Sequence, residues 1–182
     1  WNAGNDLTTG AQNTLIGAES GGKITTTIRT TAVGAAAGEF STGGFNTFVG
    51  DNSATGVNGS TDGEYNTAVG RASLTALTTA DNNVAVGASA LSTITTGGNN
   101  VAIGTGSMDS AVATSTENVF IGLDSGGGSW TGSASNCNVG VGNYVMDAAM
   151  DGATYNTGIG YHALGAVTTG DSNTALGHNA GL

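Results

Sequence analysis

Few residues of this chain could carry acid–base, nucleophilic or metal chemistry, and their spacing does not gather them. His162 and His178 are the only histidines, and Cys137 is the only cysteine. A zinc site takes three or four nitrogen, sulfur or carboxylate ligands. Two histidines without a clear carboxylate or thiol partner fall short of that, and both read as solvated surface. Cys137 has no partner for an intrachain disulfide and reads as a small buried hydrophobe. The acidic residues, among them Asp51, Asp62, Asp81, Asp109, Asp124, Asp147, Asp151 and Asp171, fall in turns. They do not reproduce the nonapeptide calcium repeat of β-roll toxins. No glycine run leads into Gly-Lys-(Ser/Thr), so a phosphate loop is absent. No spacing singles out a glycosidase-type carboxylate pair. The expectation is a chain with no enzymatic role, no cofactor and no metal.

What is regular is the scaffold. A short motif, Asn-(Thr/Val)-X-(Val/Ile/Leu)-Gly, recurs with its glycine at Gly17, Gly34, Gly50, Gly70, Gly87, Gly104, Gly122, Gly142, Gly160 and Gly177, at spacings of 16 to 20 residues. Self-similarity at a near-constant short period marks a solenoid or fibre array. One before the glycine stands an aliphatic residue in every copy: Ile16, Val33, Val49, Val69, Val86, Ile103, Ile121, Val141, Ile159 and Leu176. Three before it stands a Thr or Val, from Thr14 to Thr174. Side chains of a strand alternate with period two, so these columns share a face, and β-branched residues suit a pleated, half-buried surface. Each copy therefore holds one short strand. The aliphatic column is placed inside the coil. The residue between the two columns, biased to Ala and Gly, is placed against a neighbouring chain.

Four before the glycine lies an Asn: Asn13, Asn46, Asn66, Asn83, Asn100, Asn118, Asn138, Asn156 and Asn173, with Thr30 as the exception. Asn accepts turn conformations and bonds nearby backbone, and stacked coils would set the amides above one another as a ladder. Four after the glycine the column is either bulky (Leu74, Leu91, Met108, Met146, Leu164) or small (Gly21, Gly38, Ala54, Gly126, Gly181). Seven after it the column is largely apolar (Ile24, Val57, Leu77, Ile94, Ala111, Ala149 and Val167), broken by Ser41 and Ser129, and Thr-Thr-Gly or a near match often closes the copy, as at Thr95–Gly97. This reads as a second strand and a tight turn. The 20-residue spacings place extra residues at Gly56 to Gly63 and at Gly126 to Ser135. Insertions in repeat proteins map to one face, and Gly126–Trp130 reads as a flexible run presenting one aromatic. Trp1-Asn2-Ala3-Gly4 matches the residues that follow a motif glycine, so the chain is expected to be a segment, residues 1–182, of a longer array.

Composition narrows the partners. The net charge is −10, but only 9% of residues are charged, and the regular apolar columns oppose disorder. Proline is absent among 33 glycines, which excludes collagen and suits continuous backbone ladders. Three basic residues, Lys23, Arg29 and Arg71, face thirteen acidic ones. Nucleic acid is not expected, since phosphate contacts need clustered Lys and Arg. No run of apolar residues is long enough to insert in a membrane as a helix.

The run Asn-Thr-Ala-Val-Gly-X-X-Ser/Ala-Leu-X-X-X-Thr-Thr-Gly, as at Asn66 to Ala80 and Asn156 to Gly170, resembles repeats of phage tail fibres. Asn100-Val101-Ala102-Ile103-Gly104 is similar to the core of YadA-type trimeric autotransporter adhesin head repeats. The resemblance covers the whole chain. It implies an all-β fold, a left-handed parallel β-solenoid (β-roll), packed as a homotrimer. It also implies an extracellular, cell-surface or virion location and attachment to a host receptor or glycan. The bulky Leu74, Leu91, Met108, Met146 and Leu164 are the expected trimer contacts; a stable monomer with this column already buried in its own coil would overturn the trimer. The alternative is a monomeric or filament-forming surface solenoid, such as a surface-layer or ice-binding protein. Against ice binding, the Thr pairs at Thr25-Thr26, Thr95-Thr96 and Thr168-Thr169 are interrupted by Asn58-Gly59 and Met150-Asp151. A depolymerase spike is a third, lesser reading.

Overall fold

The computed structural model of the chain describes residues 2–57 and 62–182. Each motif forms one strand of three residues: β1 Thr14–Ile16, β2 Thr31–Val33, β3 Thr47–Val49, β4 Thr67–Val69, β5 Val84–Val86, β6 Val101–Ile103, β7 Val119–Ile121, β8 Val139–Val141, β9 Thr157–Ile159 and β10 Thr174–Leu176. They form one parallel sheet in chain order. The register is column on column: Val84, Ala85 and Val86 pair with Val101, Ala102 and Ile103. This is an all-β parallel solenoid with one coil per repeat, as the spacing predicts; coils are numbered here by their strands.

The glycine that closes each motif explains how consecutive coils can approach. Gly87 has φ 138°, and a Cβ there would overlap the carbonyl oxygen of Gly104 in the next coil. The same clash recurs from Gly17 to Gly160, so the column admits no side chain wherever a further coil follows. Three further corners of coil 5 are left-handed at non-glycine residues: Asn82 (φ 60°), Ser89 (φ 59°) and Leu91 (φ 52°). Such conformations cost about 1–3 kcal/mol each unless their surroundings hold them. Here inter-coil hydrogen bonds do so: Ser89 N–H donates to Arg71 O at 2.9 Å and Leu91 N–H to Ser107 O at 3.0 Å.

The Thr-Thr-Gly segment is not a second strand. Among the described residues the motif strand is the only one in each coil. Three consecutive N–H groups converge instead on one carbonyl. Thr95, Thr96 and Gly97 all donate to Ala113 O at 3.1, 3.2 and 3.1 Å. Thr78, Thr79 and Ala80 do the same to Thr95 O, joined by the Thr78 hydroxyl at 2.8 Å. Convergence on one acceptor turns the chain, whereas a ladder would have kept it straight.

The strands face opposite to the expectation. The central residues Ala32, Phe48, Ala68, Ala85, Ala102 and Phe120 are fully buried inside their own coil, whereas Ile16 is 59% exposed and Leu176 77% exposed. Alternation shows which columns share a face but not which face is inward. The coil is thin. Opposite the strand centre stands the bulky-or-small column, and Leu74, Leu91, Met108 and Met146 are fully buried there, with Leu164 nearly so. They fill this chain's own core and are not available as trimer contacts.

The two columns share one volume. In five of the seven coils whose strand centre is Ala or Gly the opposite residue is large: Ala68 with Leu74, Ala85 with Leu91, Ala102 with Met108, Gly140 with Met146 and Gly158 with Leu164; Ala32 with Gly38 and Ala175 with Gly181 are the exceptions. Where the centre is Phe120, the opposite residue is Gly126, whose added Cβ would lie 2.9 Å from the ring. Interiors are close-packed, and a cross-section this narrow admits one large side chain per level.

Candidate functional site

The predicted ladder of Asn residues lies inside the molecule. Asn46, Asn66, Asn83, Asn100, Asn118, Asn138 and Asn156 are at most 1% exposed; Asn13 is half-buried and Asn173 exposed. Each carboxamide serves two coils. Asn100 Nδ2 donates to Asn83 Oδ1 at 3.1 Å and to Ser115 O at 2.9 Å. Its Oδ1 accepts Asn118 N–H and Asn118 Nδ2, both at 3.1 Å. A buried polar group must be paired, and an identical carboxamide one coil away supplies both a donor and an acceptor. From Asn46 to Asn156 the row is therefore structural, with no amide aimed at solvent. At Thr30 the row changes chemistry: Asn13 Oδ1 accepts Thr30 N–H at 2.9 Å, and Thr27 Oγ1, three residues earlier, donates to Ser41 O at 2.9 Å.

A second row reinforces the strand carbonyls. Ser20, Ser53 and Ser107 donate through Oγ to Ala32 O, Ala68 O and Phe120 O at 2.8, 3.0 and 3.1 Å. A third row was not foreseen from the sequence. Asp81, Asn136 and Asp171 each accept a backbone N–H from the coil before, at 2.7 Å, from Glu64, Thr116 and Thr154. A turn-forming Asp and an amide-capping Asp read alike in sequence; only stacking separates them.

The outer sheet face is an extended surface built from repeated residues. Two columns line it: Thr14, Thr31, Thr47, Thr67, Val84, Val101, Val119, Val139, Thr157, Thr174, and the aliphatic column from Ile16 to Leu176. All are half-buried or exposed. Ile103, Ile121 and Ile159 are 37%, 36% and 41% exposed. Neither column contains a charged residue. Ten strands set about 4.8 Å apart make this face roughly 43 Å long.

Aromatic residues stack along the rod beside this face. Phe45 and Tyr65 stack at 5.0 Å, with the Arg29 guanidinium 5.4 Å from the Phe45 ring. Tyr161 stacks on His178 at 5.4 Å and meets Tyr144 edge-on at 5.6 Å. The two histidines thus gather around Tyr161 from adjacent coils. His162 Nε2 lies 3.3 Å from Asp147 Oδ1. Trp130 is buried, edge-on to Phe120 at 5.9 Å, and is not the presented aromatic that its glycine run suggested. In coils 7 and 8 the chain runs one residue longer before turning inward. Trp130 and Met150 take the inner position there, and Ala149 is exposed. Val57 is likewise exposed. The remainder of the expected Gly56–Gly63 bulge, residues 58–61, lies outside the described residues, as does Trp1.

The charged groups are scattered. Lys23 pairs with Asp6 at 3.5 Å and Arg71 with Asp51 at 3.9 Å, both exposed pairs of small worth. Burial raises the Asp109 carboxyl above its ordinary range; Asp124 adds to this and the Ser110 hydroxyl opposes it. Burial also raises Glu39, helped by Glu19 and opposed by Lys23. The Cys137 thiol is pushed up chiefly by its hydrogen bond to Glu117, at 3.2 Å, then by burial. A shallow polar groove between coils 1 and 2 is lined by Asn2, Asn5, Glu19, Gly22, Lys23 and Glu39. Among the described residues no group of three or more His, Cys, Asp or Glu could hold a metal ion, and no helix is long and apolar enough to cross a membrane.

No family model, no curated protein and no solved structure matches this chain.

Proposed function

We propose that this chain is a non-catalytic structural segment of an elongated homotrimeric fibre on a virion or cell surface, serving attachment to a host receptor or glycan. The observation that carries this reading is the uncharged outer sheet face, with Ile103, Ile121 and Ile159 more than one-third exposed on it. Exposed aliphatic side chains on a continuous uncharged face suit an interaction surface, and closed symmetric homo-oligomers are the common way to cover a repeated one. The number three comes from the sequence resemblance to tail-fibre and adhesin repeats. The contact residues move accordingly, from the Leu/Met column to the Val/Ile column. Nucleic acid and membrane insertion are not part of the reading.

One observation favours the alternative, a monomeric or filament-forming surface solenoid. The chain encloses its own apolar core from Ala32 to Ala175, Leu/Met column included, and needs no partner to complete it. Mass measurement in solution separates the two. Sedimentation at tens of micromolar should give three times the 17.5 kDa of one chain. A single-chain mass at that concentration overturns the trimer, and concentration-dependent open growth supports the filament.

A further inference from the structure

Coil 2 differs from its neighbours in four ways, each visible in a different part of the coil. First, it is the one coil whose ladder residue is not Asn. Thr30 has no carboxamide, and its Oγ1 is buried without a hydrogen bond. Asn46 begins the ladder afresh, and from there each Oδ1 accepts the next Asn N–H without interruption to Asn173. Second, both facing core positions are small: Ala32 stands opposite Gly38, and the gap is covered by the Phe48 ring of coil 3, 2.7 Å from where a Gly38 Cβ would be. Third, Ser41 occupies the inner position held by Ile24, Leu77 and Ile94 in other coils, and its Oγ is also buried without a partner. Fourth, Ile24 is fully buried but does not belong to the contiguous apolar cluster that runs on to Ala175. The cluster begins in coil 2, at Ala32 and Ala37, so the apolar core breaks between coils 1 and 2 while the Asn ladder breaks between coils 2 and 3.

These faults coincide in coil 2. Of the four buried side-chain polar atoms without a hydrogen bond among the described residues, the other two, Trp130 Nε1 and Ser135 Oγ, lie in coil 7, where the Asn ladder and the apolar core run on unbroken. An orphaned buried hydroxyl destabilises only the folded state. In a solenoid, stability is close to a sum of coil terms and nearest-neighbour interfaces, so defects concentrated in one coil are not diluted by the others. We propose that coil 2 is a built-in breaking plane: coils 1 and 2 open first, while coils 3 to 10 stay closed on their continuous Asn ladder. A rod made this way has a compliant joint at a fixed position and a stiff shaft beyond it.

Hydrogen exchange by mass spectrometry on the whole chain tests this. Amides of residues 14–41 should exchange together, well ahead of those in coils 4 to 9. Terminal fraying alone would give a similar order, so two repairs separate the explanations. Thr30→Asn closes the ladder, and Ser41→Val removes the second orphan and rejoins Ile24 to the core. Each should slow exchange in coils 1 and 2 by roughly tenfold and leave coils 6 to 9 unchanged. The converse variant, Asn100→Thr, should create a new fast-opening plane between coils 6 and 7. If both repairs leave coils 1 and 2 exchanging at the parent rate, fraying explains the data and the breaking plane is rejected. It is also rejected if coils 1 and 2 exchange no faster than coil 5 in the parent.

Discussion

Asn100 shows what a single residue does in this fold. Its carboxamide is the bonding partner of Ser115 O and of the Asn118 N–H, and both are sealed from water. Asn100→Ala leaves them unpaired, at about 1–3 kcal/mol for each group. Thr105→Ala, on an exposed turn one coil-side away, should stay within about 0.5 kcal/mol. Chemical denaturation of the two variants checks this; equal midpoints would mean the ladder is ornamental. Gly87 and Gly177 offer a second contrast. Both have positive φ, 138° and 127°, but a Cβ on Gly87 meets the next coil's backbone while one on Gly177 meets nothing within 4 Å. Gly177→Ala should cost only the backbone strain, about 1–3 kcal/mol, and Gly87→Ala clearly more. Asp109 gives the pH dependence. Its folded-state carboxyl titrates above the ordinary range, so the folded chain holds that proton more tightly than the unfolded one. The favourable contribution is present below the unfolded value and is lost as pH rises through the folded one. Asp109→Asn should therefore raise the melting temperature at pH 7 and leave it nearly unchanged at pH 3. The opposite order would reverse the assigned cause. The spacing of these residues was legible in the sequence; their hydrogen-bond partners were not, because those partners lie 15 to 20 residues away in a neighbouring coil.

At the scale of one coil, the strand and its closing glycine were readable from the columns, and the inside of the coil was misread. Period two assigns Val84 and Val86 to one face and Ala85 to the other, but it carries no sign. The sign lay in a correlation between distant columns: the central strand residue is large only where the residue four after the glycine is small, as in Leu15 with Gly21, Phe48 with Ala54 and Phe120 with Gly126. Two positions that conserve a joint volume are packed against each other. The apolar column seven after the glycine failed for another reason. An extra residue in coils 7 and 8 hands the inner position to Trp130 and Met150, and alignment on the glycine cannot see the slip. The shared volume is testable by a double-mutant cycle. Phe120→Ala opens a cavity, with a cost of about 3–5 kcal/mol. Gly126→Leu alone forces a side chain into the Phe120 ring and costs about 1–3 kcal/mol. The pair together copies the pattern of Ala85 with Leu91, in which Leu already accepts φ 52°, close to the 64° of Gly126. The double variant should be more stable than Phe120→Ala, with a favourable coupling of at least about 1 kcal/mol. Additive losses would mean that the two columns do not share one space.

For the whole molecule the question is what the outer face meets. The chain carries a net charge of −10, yet neither outer sheet column holds one of those charges. Like charges spread along a rod hold copies apart, so an uncharged stripe is where approach is least opposed. Val86 sits at the middle of that stripe and is half-buried. Were it interior, Val86→Asp would bury an unpaired charge and disrupt the fold by several kcal/mol. On the outer face, the aspartate keeps its water in a single chain and loses it only in an assembly. The variant should therefore keep the parent's secondary structure and unfold within about 1 kcal/mol of it as a monomer. In a homotrimer packed on this face, the substitution sets one carboxylate per chain at the same level around the axis, where repulsion and desolvation add. Sedimentation at matched concentration should then show the trimer dissociating, with Ala85→Asp, which does point inward, failing to fold at all. A Val86→Asp chain that remains fully trimeric would remove the Val/Ile face from the interface and leave the aromatic stacks around Tyr65 and Tyr161 as the surface to test next.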